Sequence, residues 1–107
     1  MRIIARRTLR DFVNRLVGHK DQAAVRGAVD AWFAELSKST WSGSAELKKA
    51  YATASIVTSD RVVFNIKGNS YRLVAAIDFE RQILWIKWIG SHRDYDRIDV
   101  TKVEHGD

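Results

Sequence analysis

Two apolar runs joined by Gly68-Asn69 constrain this chain more than any other feature. The first is Arg61-Val-Val-Phe-Asn-Ile-Lys67 and the second is Ser70-Tyr-Arg-Leu-Val-Ala-Ala-Ile-Asp78. Strand-like runs on either side of Gly-Asn predict a β-hairpin, because glycine at the first loop position accepts the positive φ of a type II′ turn. The turn also sets a register. With Gly68 and Asn69 as the loop, Lys67 faces Ser70, Ile66 faces Tyr71, Asn65 faces Arg72 and Phe64 faces Leu73. Strand side chains alternate between faces. Phe64, Ile66, Tyr71 and Leu73 are therefore expected on a core face, and Asn65, Lys67, Ser70 and Arg72 on a polar, cationic one.

The remaining chain supplies what such a hairpin needs to pack against. Arg2 to Arg6 reads as a short strand. Thr8 with Asp11 resembles a capping box, and Leu9, Phe12, Val13 and Leu16 follow one helix face. Gly18 is a helix stop. A second helix over Asp21–Leu36 carries Val25, Ala28, Val29, Trp32 and Leu36 on its stripe. Gly27 inside it costs about 1 kcal/mol against Ala, which implies tight packing there or a different boundary. The short join between the two predicts an αα-hairpin. Ser37 to Ser44 is loop-like, with Ser44 capping a short helix over Ala45–Tyr51. Ile56-Val57 is a brief strand. A second turn near Phe79–Gln82 leads to a last strand over Ile83–Ile89. Thr101–Asp107 shows no periodicity. Helices followed by consecutive antiparallel strands give an α+β fold, with the N-terminal helices packed on one face of an antiparallel sheet.

The chain has 107 residues, which fits a single domain. Its formal charge of +5 and pI near 9.8 point to a polyanionic or acidic partner. Solubility alone is the competing account of that charge. The absence of Cys excludes disulfides and thiolate zinc sites and fits a cytoplasmic protein. Met1–Arg7 is too short and too charged to be the apolar region of a signal peptide. No stretch is long enough to span a membrane.

The polar face carries the candidate chemistry. Lys67 and Arg72 near one end of the hairpin make a phosphate-sized cationic site, since Arg binds two phosphate oxygens with its planar fork. His92 is the candidate proton-transfer group; His19 lies in the helical join and His105 in the tail. Tyr95 offers a ring for a base or a hydroxyl. Such a set suits phosphodiester transfer in RNA, where the 2′-hydroxyl is the nucleophile. Ordinary surface and structural roles compete for Lys67, His92 and Tyr95. Arg72, in the middle of an apolar strand, is harder to explain that way. The four Trp residues read as core. Asp94, Asp96 and Asp99 are flanked by Arg93 and Arg97, which favours solvated ion pairs. The sequence assigns no metal and no cofactor, because it contains no metal-ligand cluster, Gly-rich phosphate loop or nucleophile elbow.

Phe64-Asn-Ile-Lys-Gly-Asn-Ser-Tyr-Arg-Leu73, followed by Trp85-Ile-Lys-Trp-Ile-Gly-Ser-His-Arg-Asp-Tyr-Asp96, resembles the HigB family of bacterial toxins within the RelE/ParE-like superfamily. The helical first half, Trp41 and Glu46-Leu47 fit the same pattern. The resemblance implies a RelE-like, microbial-ribonuclease-type fold. It implies cleavage of mRNA, usually at the ribosome, and neutralisation by a HigA-type helix-turn-helix antitoxin. It implies a site of Lys67, Arg72, His92 and Tyr95, with Asn65, Asn69, Ser70 and Arg93 as RNA contacts. Other branches often place Arg or Lys where this chain has His92, so the general acid and base stay open. Two further functions stay open beside it: a ParE-like toxin that binds DNA gyrase, and an RNA-binding module without chemistry.

Overall fold

The computed structural model describes residues 1–104. Along the chain run β1 (Arg2–Ile4), α1 (Arg6–Arg15), α2 (Gln22–Lys38), α3 (Ser44–Ala50), β2 (Ser55–Ile56), β3 (Arg61–Ile66), β4 (Tyr71–Asp78), β5 (Ile83–Ser91) and α4 (His92–Tyr95). The strands form one sheet in the order β1-β5-β4-β3-β2. The α+β architecture is as expected, but the sheet is mixed rather than wholly antiparallel, because β1 pairs in parallel with β5. Parallel neighbours need a long crossover; here α1 through β4 lie between them.

The hairpin register is the predicted one, with Phe64 opposite Leu73, Asn65 opposite Arg72 and Ile66 opposite Tyr71. Gly68 has φ +62°, and the Ser70 N–H donates to the Lys67 carbonyl at 3.2 Å to close the turn. Phe64, Ile66, Tyr71, Leu73, Ala75 and Ile77 form the inner face, packed with Leu9 and Val13 of α1 and with Val25, Val29, Trp32 and Leu36 of α2. Trp32 and Tyr51 meet the Phe64 ring edge-on, each at 5.4 Å. Each such side chain stabilises the fold by roughly 1.5–3 kcal/mol through burial.

A bulge in β5 decides what reaches the other face. Val74 faces Trp88 and Ala75 faces Ile86, so Lys87 has no opposite residue. One extra residue reverses the alternation. Leu84 and Ile86 point inward before it, and Ile89 points inward after it. Trp88 and Gly90 thereby stand opposite Val74 and Arg72 on the outer face. Trp32 and Trp41 are core as expected, whereas Trp85 and Trp88 are half-buried and lie outside the main core.

The outer face is not simply polar. Val63, Val74 and Ala76 are buried there, apart from the main core. The segment after α4 is held by Arg61, whose Nη1 donates to the carbonyls of Val100 (3.3 Å) and Val103 (2.9 Å). Glu104 bridges Arg61 at 3.3 Å and Lys87 at 2.8 Å. His105 lies outside the described residues.

Several local expectations change. Thr8 is buried inside α1, which starts two residues earlier behind Ala5, and Asp11 pairs with Arg7 instead of capping. Gly43, not Ser44, precedes α3, whose first turn is held by Glu46 accepting from the N–H (3.0 Å) and hydroxyl (2.9 Å) of Ser42. Those hydrogen bonds, the backbone one foremost, hold the Glu46 carboxyl below its ordinary range. Gly27 lies well inside α2, yet an added Cβ there would meet nothing within 4 Å, so close packing does not explain it. Asp94, Asp96 and Asp99 form no ion pair with Arg93 or Arg97 among the described residues.

Candidate active site on the outer face

Arg72 sits on β4, the middle strand, between Asn65 of β3 and Gly90 of β5. Its Nη1 donates to Asn65 Oδ1 at 2.6 Å. Its guanidinium carbon lies 5.5 Å from the centre of the Tyr95 ring, a cation–π distance. Tyr95 in turn leans on Trp88 at 6.2 Å. Gly90 makes room for that stack, since a Cβ there would stand 2.5 Å from atoms of the Trp88 ring. Arg72 Nε is buried and has no hydrogen-bond partner among the described residues. An orphaned donor of this kind costs about 1–3 kcal/mol.

The cations around Arg72 differ from it in one respect. Five Lys and Arg residues lie between Arg61 and Lys87. Four of them face a carboxylate: Arg61 and Lys87 face Glu104, Lys67 faces Asp21 and Arg81 faces Asp78. Among the described residues, Arg72 faces an amide and an aromatic ring but no carboxylate. Its charge is therefore held in place without being neutralised.

His92 opens α4. Its N–H donates to the Ser70 carbonyl at 2.9 Å, while Ser91 Oγ caps the helix by accepting from the Asp94 N–H at 3.1 Å. These bonds fasten the half-buried His92 beside the hairpin turn. The outer face thus brings Asn65, Arg72 and Tyr95 into direct contact, and ties His92 to Ser70 through the backbone. Asn69 and Arg93 are exposed nearby in sequence, and neither side chain has a hydrogen bond among the described residues.

Lys67 is drawn elsewhere. The ladder ends at Ile66, and so does the pleat that would have put Lys67 beside Arg72. Lys67 adopts a left-handed backbone with φ 53°. Its Nζ lies 3.6 Å from Asp21 Oδ1, just before α2. Asp21 Oδ2 also accepts from the inner-face Tyr71 hydroxyl at 3.0 Å. Desolvation raises the Asp21 carboxyl, but the Tyr71 hydrogen bond and the charges of Lys67 and His19 outweigh it, holding the group below its ordinary range. Burial, then the bond to Asp21, pushes the Tyr71 phenol up.

The model of the HigB toxin family, the RelE-like toxic component of a toxin–antitoxin system, matches residues 25–98. The chain belongs to the HigB toxin family. No curated protein matches it. The HigB match runs from the first turn of α2 past the end of α4, so it contains every site residue expected from the sequence, though not Asp21. As a HigB toxin, the protein has a RelE-like fold and an antitoxin as its partner. Among the described residues, no helix of this toxin is long and apolar enough to cross a membrane. Trp88, Gly90 and Asp21 were not legible as parts of the site. A glycine two residues after a tryptophan in a strand was the available signal for the first two. Nothing local pointed to Asp21.

Proposed function

We propose that this HigB toxin is an endonuclease that cleaves mRNA without a metal ion, acting at the ribosome in the cytoplasm to inhibit translation. Its antitoxin would be a HigA-type helix-turn-helix protein. The observation that carries this reading is Arg72, an uncompensated guanidinium fixed by Asn65 and Tyr95 on the central strand. The RNA brings its own nucleophile. Its 2′-hydroxyl attacks the adjacent phosphorus, losing its proton to solvent water, and negative charge grows on the non-bridging oxygens as the bond to the 5′-oxygen breaks. Arg72 meets that charge with N–H groups already in position, so little reorganisation is needed in the transition state. His92 protonates the departing 5′-oxygen. Tyr95 supports Arg72 and offers the exposed part of its ring to a base. Asn65, Asn69, Ser70 and Arg93 contact the strand on either side. Lys67 joins only by leaving Asp21.

The test is to map mRNA ends after induced expression of the parental chain and of His92→Gln. Products should carry a 2′,3′-cyclic phosphate and a 5′-hydroxyl. Gln cannot deliver a proton as imidazolium, so cleavage should fall by roughly 10²–10⁴-fold while RNA binding changes much less. Parental-like cleavage by His92→Gln would remove His92 from the chemistry. Absence of new mRNA ends under the parental toxin would refute the nuclease.

A further inference from the structure

The excess positive charge is not on the catalytic face. Residues 1–26 carry seven Arg and Lys against two Asp, while the remaining residues carry eleven against eleven. The whole net charge thus resides on β1, α1, the α1–α2 join and the first five residues of α2. α1 and α2 pack on the inner face of the sheet, so the sheet separates this charge from Arg72. At physiological salt the Debye length is about 8 Å, so the two faces act as separate electrostatic surfaces.

A groove of about 290 Å³ opens between α1 and α2. Arg6, Arg10 and Arg26 stand along it, with Asp30 as the one acidic residue. The Arg6 guanidinium carbon lies over the Phe33 ring, 4.0 Å from its centre, a cation–π contact. Arg6, Arg10 and Arg26 form no ion pair among the described residues. The floor, Leu9, Val13 and Val29, is closed at 2%, 5% and 4% exposure.

These features select among anionic partners. An amphipathic acidic helix needs apolar pockets for its anchors, and the closed floor offers little. A single strand needs exposed aromatic rings for its bases. Here Phe33 lies under Arg6, and Phe12 packs edge-on to Tyr71 at 5.8 Å, with Arg15 over its ring at 6.0 Å. What remains is a row of guanidinium groups suited to a phosphate backbone. We propose that the exposed face of α1 and the start of α2 binds the backbone of duplex RNA, separately from the Arg72 site. The choice of RNA over DNA rests on the nuclease reading; the charge segregation does not. Arg6 and Arg10 precede the family match, whereas Arg26 lies within it.

The experiment is fluorescence anisotropy with the full chain and a short, blunt, labelled duplex RNA. A duplex DNA of the same length and a Glu-rich peptide serve as further probes. Arg10→Gln/Arg26→Gln, with and without Arg6→Gln, should retain the parental circular dichroism. The double variant spares the Arg6–Phe33 stack. It should bind duplex RNA at least about tenfold more weakly, and the slope of log affinity against log salt should fall by roughly two. Arg72→Ala should bind the duplex within about twofold of the parental chain, whatever its effect on cleavage. Parental affinity in the folded double variant would overturn the proposal. So would loss of duplex binding in Arg72→Ala, displacement of RNA by the peptide at matched charge, or tighter binding to DNA than to RNA. Because binding is read without cleavage, failure of the nuclease reading leaves this result interpretable.

Discussion

Replacing Arg72 by Ala should separate activity from stability, and the structure gives the size of both effects. The substitution leaves the half-buried Asn65 Oδ1 without its donor at 2.6 Å. A lost hydrogen bond of this kind costs about 0.5–1.5 kcal/mol, more if the acceptor stays dry. The same substitution removes the buried, unpartnered Nε, relieving a penalty of about 1–3 kcal/mol. The two contributions oppose each other, so the net change in stability should stay within about 1 kcal/mol. Activity has no such offset. On the proposed mechanism Arg72 supplies the fixed donors facing the developing charge, and removal of one such donor lowers rates by about 10²–10³-fold, or roughly 2.7–4 kcal/mol. Thermal unfolding and mRNA end mapping on the same preparation make the comparison. Arg72→Lys keeps the charge but loses the planar fork, and should fall between. A folded Arg72→Ala toxin that cleaves and inhibits growth within about threefold of the parental chain would refute the assignment.

Asp21→Asn keeps a partner for the Tyr71 hydroxyl but releases Lys67 from its carboxylate; affinity for single-stranded RNA should rise by about two- to fivefold, the scale of a half-exposed ion pair. Unchanged or weaker binding in a filter assay would mean that Lys67 does not reach RNA. Gly27→Ala fills open space inside α2 and should raise stability by about 0.5–1 kcal/mol in denaturant titrations. Glu104 is held below its ordinary value of 4.5 by the Lys87 hydrogen bond, despite opposing desolvation, with the charges of Lys87 and Arg61 adding to it. Its contribution is fully present above that value and is lost as pH falls through the lowered one, so Glu104→Gln should flatten the acid limb of stability below about pH 4.5.

The hairpin and its register were legible because a glycine turn and an alternating pattern are local signals that agree. The stripes of α1 and α2 were legible for the same reason. The bulge at Lys87 was not, because Ile83–Ile89 is apolar on both sides of the lysine and conceals the reversal of faces. Pairing of β1 with β5 joins residues far apart in sequence, beyond the reach of any periodicity. The site divided along the same line. Asn65 opposite Arg72 followed from the turn, whereas the departure of Lys67 depended on a left-handed backbone and on a carboxylate from another element. Ser42 rather than Ser44 steadies α3 because Glu46 reaches back two residues past the expected cap.

The distribution of charge bears on how such a toxin can combine specificity with a small active face. If the sheet's cations were free, any RNA would be held at the hairpin by long-range attraction. Those from Arg61 to Lys87 are instead set against Glu104, Asp21 and Asp78, leaving Arg72 as the cation of that stretch that meets no carboxylate among the described residues. A single positioned guanidinium contributes most where charge develops in the transition state, and much less to ground-state binding. On the proposed mechanism, a face built this way should have low affinity for RNA at large and gain its rate only when a strand is delivered in the right pose. On the proposal above, delivery would fall to the cationic face of α1, which would attract a backbone without competing for the bond to be cut. Holding the two tasks on opposite sides of the sheet lets affinity be set by salt-dependent contacts on one side and rate by fixed geometry on the other.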